Sequence, residues 1–330
     1  MFIRGGWPGG FVTPAPARVF ALVSLVRTFV RMLNSFIRPM SRAVMRAAGL
    51  ATAAVLVLTV TASASSPAAV RGSAQAAGPA ATAGVPVLPL FGRKADGHLY
   101  DYEPLGTGGV RQAVDLGGGF ADATAMVQNE ISDNGAGVDL YYRMGGTLYY
   151  TAERGAETKV IGGGWDMYNL LVTAGKLGGG PYPGLLARDT AGVLWLYPGQ
   201  ANGVLGGRVR AGTGFDSMDR IVSRGDFTGD GKIDLIVRTT GGTLYLYPGT
   251  GTGVVDAMVQ LPRIVAGTGW NIYNAVVSTG DNDGDGKADL IASDTAGALW
   301  LFKGTGVAAT PFATRVQIGT GGWQAFNTLF

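Results

Sequence analysis

Residues 280–290 read GDNDGDGKADL and place carboxylates at positions 1, 3, 5 and 9 of a nine-residue loop. These carboxylates are Asp281, Asp283, Asp285 and Asp289. So many like charges in a short span repel one another, and a hard cation with oxygen ligands relieves the repulsion. The loop differs from an EF-hand, because position 12 is Ala292 where a bidentate Glu would stand. The pattern therefore predicts a calcium loop that leads into a strand.

A second copy of the loop occurs at residues 225–235, which read GDFTGDGKIDL. Its oxygen-bearing side chains are Asp226, Thr228, Asp230 and Asp234, so that a hydroxyl replaces one carboxylate. A solvated acidic turn is the alternative for either copy, because Gly and Asp are common in turns. The repeated spacing before a similar apolar run favours calcium in both, with stronger binding by the loop that has more carboxylates.

Charge and glycine content narrow the class of protein. The 330 residues include 55 Gly and no Cys, and 47% are hydrophobic, which fits an all-β fold with many turns and no disulfides. Eight of the 26 basic residues lie in residues 1–84, which hold no Asp or Glu. Residues 85–330 therefore carry 18 basic and 23 acidic residues, a net charge of −5. This balance argues against nucleic acid or an anionic membrane as partner.

Residues 1–76 are predicted to be an export leader. Arg42 and Arg46 precede the apolar run 49–62, and small residues that suit cleavage follow. The run is too short for an ordinary transmembrane helix, so we expect no stable membrane insertion. The leader is unusually long, and translation from Met40 or Met45 would give a signal of ordinary length. Residues 77–84 are interpreted as a linker and the protein as secreted.

Two signatures alternate along residues 85–330. A Gly-rich turn precedes an aromatic residue at Phe120, Trp165, Phe215, Trp270 and Trp323. The motif Gly-x-Leu-aromatic begins at Gly97, Gly146, Gly192, Gly242 and Gly297. The spacing is 45 to 55 residues, and one unit contains strand-like runs at 273–277, 290–293, 299–302 and 315–318. Units of about 50 residues with four short strands indicate a β-propeller.

The order of these signatures predicts how the ring closes. The repeat region begins with the second signature and ends with the first, so the two ends of the region each supply part of one blade. We therefore predict an all-β, five-bladed β-propeller closed by pairing of its N- and C-terminal strands, which removes exposed sheet edges. An open solenoid would need distinct capping repeats, and neither end resembles one.

The two loops resemble the FG-GAP/VCBS repeat of integrin-α-type propellers. The five-unit count and the aromatic-glycine signatures are also similar to tachylectin-2-type five-bladed lectins. The first resemblance implies two structural calcium ions, held by the side chains named above and by the backbone carbonyls of Lys232 and Lys287, whose side chains would point to solvent. In the unit near Leu171 the loop has no carboxylate, and no ion is expected. The unit near Met126 keeps only Asp133 and Asp139.

No pattern in the sequence indicates an enzyme. The single histidine, His98, occupies an ordinary hairpin position in its repeat. A lipase-type nucleophile motif and a phosphate-binding loop before a helix are both missing from the sequence. Paired carboxylates could serve a glycosidase, but here they crowd within nine residues, which suits chelation better.

Two further repeated sets have both structural and functional interpretations. The same position in four of the repeat units is an arginine, namely Arg93, Arg143, Arg188 and Arg238. In the fifth unit this position is Ser293. We favour structural hydrogen bonds over a ring that grips an acidic or sugar ligand. Trp165/Tyr168, Trp270/Tyr273 and Trp323/Phe326 likewise suit blade packing better than a sugar-stacking platform.

These observations together predict a secreted, monomeric, non-enzymatic binding module. By the family resemblance, its expected partner is a glycan or a cell-surface or extracellular polymer. A lectin with repeated sugar pockets and a polysaccharide-acting enzyme are the alternatives.

Overall fold

The computed structural model describes residues 85–132, 139–152, 155, 157–251 and 262–330. These residues form five four-stranded antiparallel sheets joined by turns and short 3-10 segments. The predicted all-β, five-bladed propeller is thereby confirmed. Within the described ranges, no helix has the length and apolar character that a membrane crossing requires. The expectations for the leader and linker concern residues 1–84, which lie outside these ranges.

Each blade contains four strands. In blades 2 to 5 the innermost strand comes first along the chain, whereas in blade 1 it is supplied by the C-terminal end of the repeat region. Blade 1 consists of β20 (Phe326–Leu329), β1 (Leu90–Lys94), β2 (Leu99–Tyr102) and β3 (Val114–Asp115). Blade 2 consists of β4 (Ala123–Asn129), β5 (Asp139–Met144), β6 (Thr147–Ala152) and β7 (Glu157–Gly162). Blade 3 consists of β8 (Tyr168–Gly175), β9 (Tyr182–Asp189), β10 (Leu194–Gly199) and β11 (Val209–Gly212). Blade 4 consists of β12 (Met218–Gly225), β13 (Asp234–Thr239), β14 (Leu244–Tyr247) and β15 (Ile264–Gly267). Blade 5 consists of β16 (Tyr273–Gly280), β17 (Asp289–Asp294), β18 (Leu299–Phe302) and β19 (Val316–Gly319).

The Gly-x-Leu-aromatic motif forms the third strand in blades 2 to 5 and the second along the chain in blade 1. In β10, Leu194 and Leu196 are buried while Trp195 is half-buried, as the period of two requires. The glycine before each such strand takes a positive φ, for example +76° at Gly192, which a residue with a Cβ avoids. The third predicted strand of the last unit agrees with β18, and the others agree to within a few residues.

The ring closes through β20, which pairs with β1 in antiparallel register. Leu329 lies opposite Gly92, and the backbones of Phe91 and Phe330 exchange two hydrogen bonds of 2.9 and 3.0 Å. The predicted closure by the two ends of the repeat region is confirmed. It protects the edge of β1 from pairing with another chain.

The hydrophobic core lies between blades. Each of five apolar clusters combines buried residues of two successive blades, as when Val222 and Leu246 of blade 4 pack with Leu290 of blade 5. The cluster between blades 5 and 1 is built in the same way and includes Leu90 and Leu301. Since apolar burial at each interface is the main stabilising term, every blade depends on both neighbours.

The four repeated arginines join neighbouring blades. Each donates from Nη1 to two carbonyls at the aromatic turn of the next blade. The first of the two carbonyls belongs to Phe120 for Arg93 (2.9 Å), Trp165 for Arg143 (2.7 Å), Phe215 for Arg188 (2.9 Å) and Trp270 for Arg238 (2.9 Å). In the fifth blade Ser293 donates to Asn274 instead, at 2.7 Å. The structural interpretation of this series is therefore correct, and a ligand-gripping ring of these groups is not formed.

The aromatic residues of the turns are also buried between blades. Trp165, Trp270 and Trp323 are 6%, 6% and 7% exposed, and Trp270 packs 4.4 Å from Phe302, measured between ring centroids. Such contacts add to the stability gained from burial alone. These rings serve blade packing, as the sequence predicted.

Candidate metal centre

The second acidic loop, residues 281–289, connects β16 to β17. One carboxylate oxygen from each of Asp281, Asp283 and Asp285 lies within 4.8 Å of the other two. Asp281 is 1% exposed, and the side chain of Asp283 is 6% exposed. Burial of crowded like charges is costly unless a cation compensates them.

Asp281 organises this loop through its backbone. Its Oδ1 accepts hydrogen bonds from the amides of Gly284 (2.6 Å) and Asp285 (3.2 Å), and its Oδ2 accepts one from Gly286 (2.8 Å). Gly284 and Gly286 have φ values of +81° and +84°, which explains why glycine stands at both positions. The chain is thereby curled around the carboxylate at position 1.

Asp289 is the last residue of the second loop. Its two oxygens accept hydrogen bonds from the amides of Asn282 (2.9 Å) and Gly304 (2.7 Å), so it ties the loop to the end of β18. Burial is the main cause that raises its pKa to about 7, against the lowering effect of these hydrogen bonds. The group of three carboxylates does not include Asp289. The sequence pattern alone did not distinguish Asp289 from the other three.

The first acidic loop, residues 226–234, connects β12 to β13 and gathers Asp226, Asp230 and Asp234 within the same 4.8 Å limit. The Thr228 hydroxyl donates to Asp226 at 3.2 Å. Asp234 accepts hydrogen bonds from the amides of Phe227 (2.7 Å), Thr228 (2.9 Å) and Gly249 (2.6 Å). Burial raises the pKa of Asp234 to about 6.

Lysines balance part of the charge of both loops. Lys232 lies 3.1 Å from Asp230 and Lys287 lies 3.0 Å from Asp285, measured from Nζ to Oδ2. Both side chains are largely exposed, as expected, but each pairs with its own loop. When ionised, the first loop sets three carboxylates against one ammonium.

A third lysine was missed by sequence reasoning. Lys303, which follows β18, lies 2.8 Å from Asp283. The second loop therefore sets four carboxylates against two ammonium groups. Each loop retains a charge of −2, which a single divalent cation would neutralise, so the donor sets fit calcium.

Strand register identifies the equivalent loops of the other blades. Gly225 pairs with Asp234 and Gly280 with Asp289, and in the same register Asn129 pairs with Asp139. Glu130 therefore stands at position 1 of the loop in blade 2, although the sequence analysis considered only Asp133 and Asp139 there. Asp133 lies outside the described residues. Asp139 is fully buried and accepts from the amides of Ile131 (2.9 Å) and Ser132 (2.8 Å).

The equivalent loop of blade 3 is filled by apolar packing. Its register pairs Gly175 with Gly184, and Leu177 between them is 1% exposed in the core shared with blade 4. A Cβ on Gly184 would lie 2.4 Å from the carbonyl oxygen of Tyr197, so no carboxylate could replace it without a shift of the backbone.

Both acidic loops touch the following blade. A Cβ on Gly229 would lie 2.3 Å from the carbonyl oxygen of Gly306 in blade 5, and one on Gly284 would lie 2.8 Å from that of Gly106 in blade 1. Asn282 also accepts hydrogen bonds from blade 1, from the amide of Gly109 to its Oδ1 at 2.8 Å. A change in the conformation of either loop would therefore alter its contacts with the next blade.

Fold and loops together define a class of protein, a five-bladed β-propeller with acidic loops between the first two strands of blades 4 and 5. Comparison with sequence models of protein families matches residues 226–292 to the FG-GAP-like repeat, which spans both acidic loops. The chain thus carries the FG-GAP-like repeat on a β-propeller, and the predicted resemblance is confirmed over this segment. Comparison with curated proteins gives no significant match.

Solved structures with a similar fold have low sequence identity. A nidogen/laminin complex is 11% identical with a TM-score of 0.41, covering 73% of this chain and 96% of that one. AofleA from Arthrobotrys oligospora is 12% identical with a TM-score of 0.41, covering 71% and 69%. Regucalcin from Agrobacterium tumefaciens, a calcium-binding protein, is 13% identical with a TM-score of 0.38, covering 71% and 77%. Likeness at this level carries no information on ligand or activity.

Proposed function

We propose that this chain is an exported, non-catalytic binding module that is stabilised by calcium and recognises a glycan or a cell-surface polymer. The observation that carries the proposal is the group of three carboxylates within 4.8 Å in each of two loops of an FG-GAP-like repeat. A propeller with this repeat fits a binding role, because its blades present many loops on a rigid frame.

Calcium has a structural role in this proposal. The first site uses Asp226, Thr228, Asp230 and Asp234 with the carbonyl of Lys232. The second uses Asp281, Asp283, Asp285 and Asp289 with the carbonyl of Lys287. The ion supplies charge neutralisation, which keeps each loop ordered against the next blade. Affinity in the millimolar range would suffice for an extracellular module.

The proposal of export rests on the sequence of the leader. The proposal that the protein is not an enzyme rests on the sequence and on the geometry around the single histidine. The side chain of His98 is 42% exposed, and its Nδ1 lies 3.0 Å from Asp115 on the outermost strand of blade 1. Asp115 has a lowered pKa, caused first by the amide of Gly117 and then by His98. An exposed pair at the propeller edge provides no enclosed site for a reaction.

A lectin is the second candidate, and a repeated exposed feature favours it. In three blades an exposed arginine stacks on the aromatic ring of the Gly-x-Leu-aromatic motif, with 4.0 to 4.2 Å from guanidinium carbon to ring centroid. The pairs are Arg208/Trp195, Arg263/Tyr245 and Arg315/Trp300. An aromatic surface beside a cation and a carboxylate, such as Asp294 at 2.8 Å from the indole nitrogen of Trp300, suits a sugar.

The calcium proposal is tested by calorimetric titration of Ca²⁺ into chelator-treated full-length protein. We expect two binding events in the parent protein and one in Asp285→Ala. Absence of heat in the parent, or unchanged stoichiometry in the variant, would overturn the assignment of metal to these loops.

Recognition is tested separately, by co-sedimentation with insoluble polysaccharides and cell-wall material in calcium and in chelator. Binding to one polymer class, reduced in chelator, would support the binding module. For the lectin, we expect glycan binding with a stoichiometry above one that falls in Trp300→Ala. A stoichiometry of one, unaffected by this substitution, would exclude it.

A further inference from the structure

A central cavity lies at the axis of the propeller. Its volume is about 300 Å³, and the innermost strands of all five blades line it. Strand β12 contributes two arginines, Arg220 and Arg224, while none of the described lining residues is Asp or Glu. The charged residues of the lining are therefore both basic, within a chain whose repeat region is acidic overall.

Arg224 is held among neutral groups. It is 6% exposed, and its Nη1 donates to Gln128 Oε1 at 2.8 Å and to the Ser278 carbonyl at 3.2 Å. Its Nη2 donates to the carbonyl of Gln128. These contacts use three of the five N–H groups of the guanidinium. No carboxylate among the described residues pairs with it.

Such an arrangement is energetically unfavourable. Burial removes the guanidinium from water, and the three contacts that it makes are all to neutral oxygens. A buried charge is costly unless a partner of opposite sign compensates it. Among the inter-blade arginines, Arg238 differs from Arg224 in this respect, because it pairs with Asp219 at 2.6 Å.

The backbone of Arg224 is also strained. Its φ is +106°, whereas the bulges at the ends of β8 and β16 place their positive φ on Gly175 and Gly280. Gly225 is the equivalent glycine in blade 4 and could adopt a positive φ at little cost. The positive φ is nevertheless found at Arg224, where a side chain makes it unfavourable. Strain of this kind persists where the surrounding structure maintains it and is concentrated at functional sites.

The repeat does not require an arginine at this place. Equivalent residues before the end of the innermost strand are Gln128, Ala174 and Thr279. Arg220 lies on the same strand, where its Nη2 donates to the Asn274 carbonyl at 2.7 Å. The two guanidinium groups thus mark blade 4 as different in its contribution to the cavity.

We propose that the central cavity binds a small organic monocarboxylate of monosaccharide size, with Arg224 as its charge partner. The guanidinium of Arg224 matches one negative charge, and its planar edge suits a carboxylate. Polar lining residues, including Thr173, Ser223 and Asn327, can accept and donate hydrogen bonds to hydroxyl groups. A volume of about 300 Å³ is at the lower end of ligand pockets.

A sugar acid is a ligand of this class, and its binding would extend the proposed binding function. Binding in the central cavity requires neither calcium nor attachment to a polymer. The test is titration of full-length protein with sodium glucuronate, with glucose as the uncharged counterpart, in chelator. We expect glucuronate to bind one per chain and glucose to give no heat. Arg224→Gln should weaken the binding of glucuronate by at least about thirtyfold.

Arg210→Gln is the matched control, because Arg210 is exposed on β11 and the change in net charge is the same. We expect it to bind glucuronate as the parent does. Thermal unfolding provides a second measurement: glucuronate should raise the Tm of the parent and of Arg210→Gln, but not of Arg224→Gly, which also relieves the backbone strain. Equal binding of glucose and glucuronate, no binding by the parent, or unchanged binding by Arg224→Gln would each overturn the proposal, whatever the outcome with polymers.

Discussion

The contact between the first acidic loop and blade 5 can be measured with two glycines of the same loop. Gly229 and Gly231 have φ values of +81° and +84°, and both amides donate to Asp226 at 2.6 Å. They differ in one respect. A Cβ on Gly229 would lie 2.3 Å from the Gly306 carbonyl oxygen, whereas a Cβ on Gly231 would have no neighbour within 4 Å.

The geometry gives the size of the expected effect. Either glycine-to-alanine substitution places a Cβ at positive φ, which costs about 1–2 kcal/mol. Gly229→Ala must in addition move the Gly306 backbone by about 0.7 Å to restore a contact of 3.0 Å, and overpacking of this kind costs about 1–3 kcal/mol. We therefore expect Gly229→Ala to be less stable than Gly231→Ala by about 1–3 kcal/mol.

Urea unfolding in chelator is the suitable assay, because it separates the contact from any change in ion affinity. Equal loss of stability in the two variants would refute the conclusion that this loop is packed against blade 5. A larger loss in Gly231→Ala would refute the loop conformation itself.

The remaining predictions concern the arginine series, the metal and pH. Arg238→Ala removes two hydrogen bonds to buried carbonyls and should lower the stability by about 3 kcal/mol, or the Tm by about 6–12 °C; an unchanged Tm would contradict the inter-blade role. Asp285→Ala should lower the Tm by about 5–10 °C in calcium and hardly at all in chelator, a contrast that calorimetric scans can check. Burial raises the pKa of Asp234 to about 6 and of Asp289 to about 7, so in chelator they add stability that is complete below about pH 4 and is lost as the pH rises through about 6 to 7. The Tm in chelator should accordingly fall between about pH 4 and pH 7, and less steeply in Asp234→Asn; a flat profile in the parent over this range would contradict the raised pKa values.

The repeat architecture could be predicted from the sequence because each signature has a local cause. Glycine at positive φ before Leu194 and an aromatic residue after a Gly-rich turn such as Trp165 are visible in any single unit. Their order along the chain was then enough to infer closure by β20. Local rules of this kind do not depend on which blades become neighbours.

What the sequence could not provide depends on contacts between blades or on register. Glu130 was missed because the loop of blade 2 is one residue longer, and only the pairing of Asn129 with Asp139 fixes its place. Lys303 lies 20 residues from Asp283 along the chain, so its ion pair required the fold. Arg224 resembles any strand arginine until its burial and positive φ are known.

The pairing of β20 with β1 has a consequence for biosynthesis. Blade 1 cannot be completed until residues 326–329 exist, although its other strands precede those of blades 2 to 5 along the chain. Until then β1 offers unpaired amide and carbonyl groups to any extended chain nearby, and contacts so distant in sequence form slowly. The nascent protein therefore passes through a long interval in which aggregation competes with folding, and helpers that shield this strand would increase the yield of native protein.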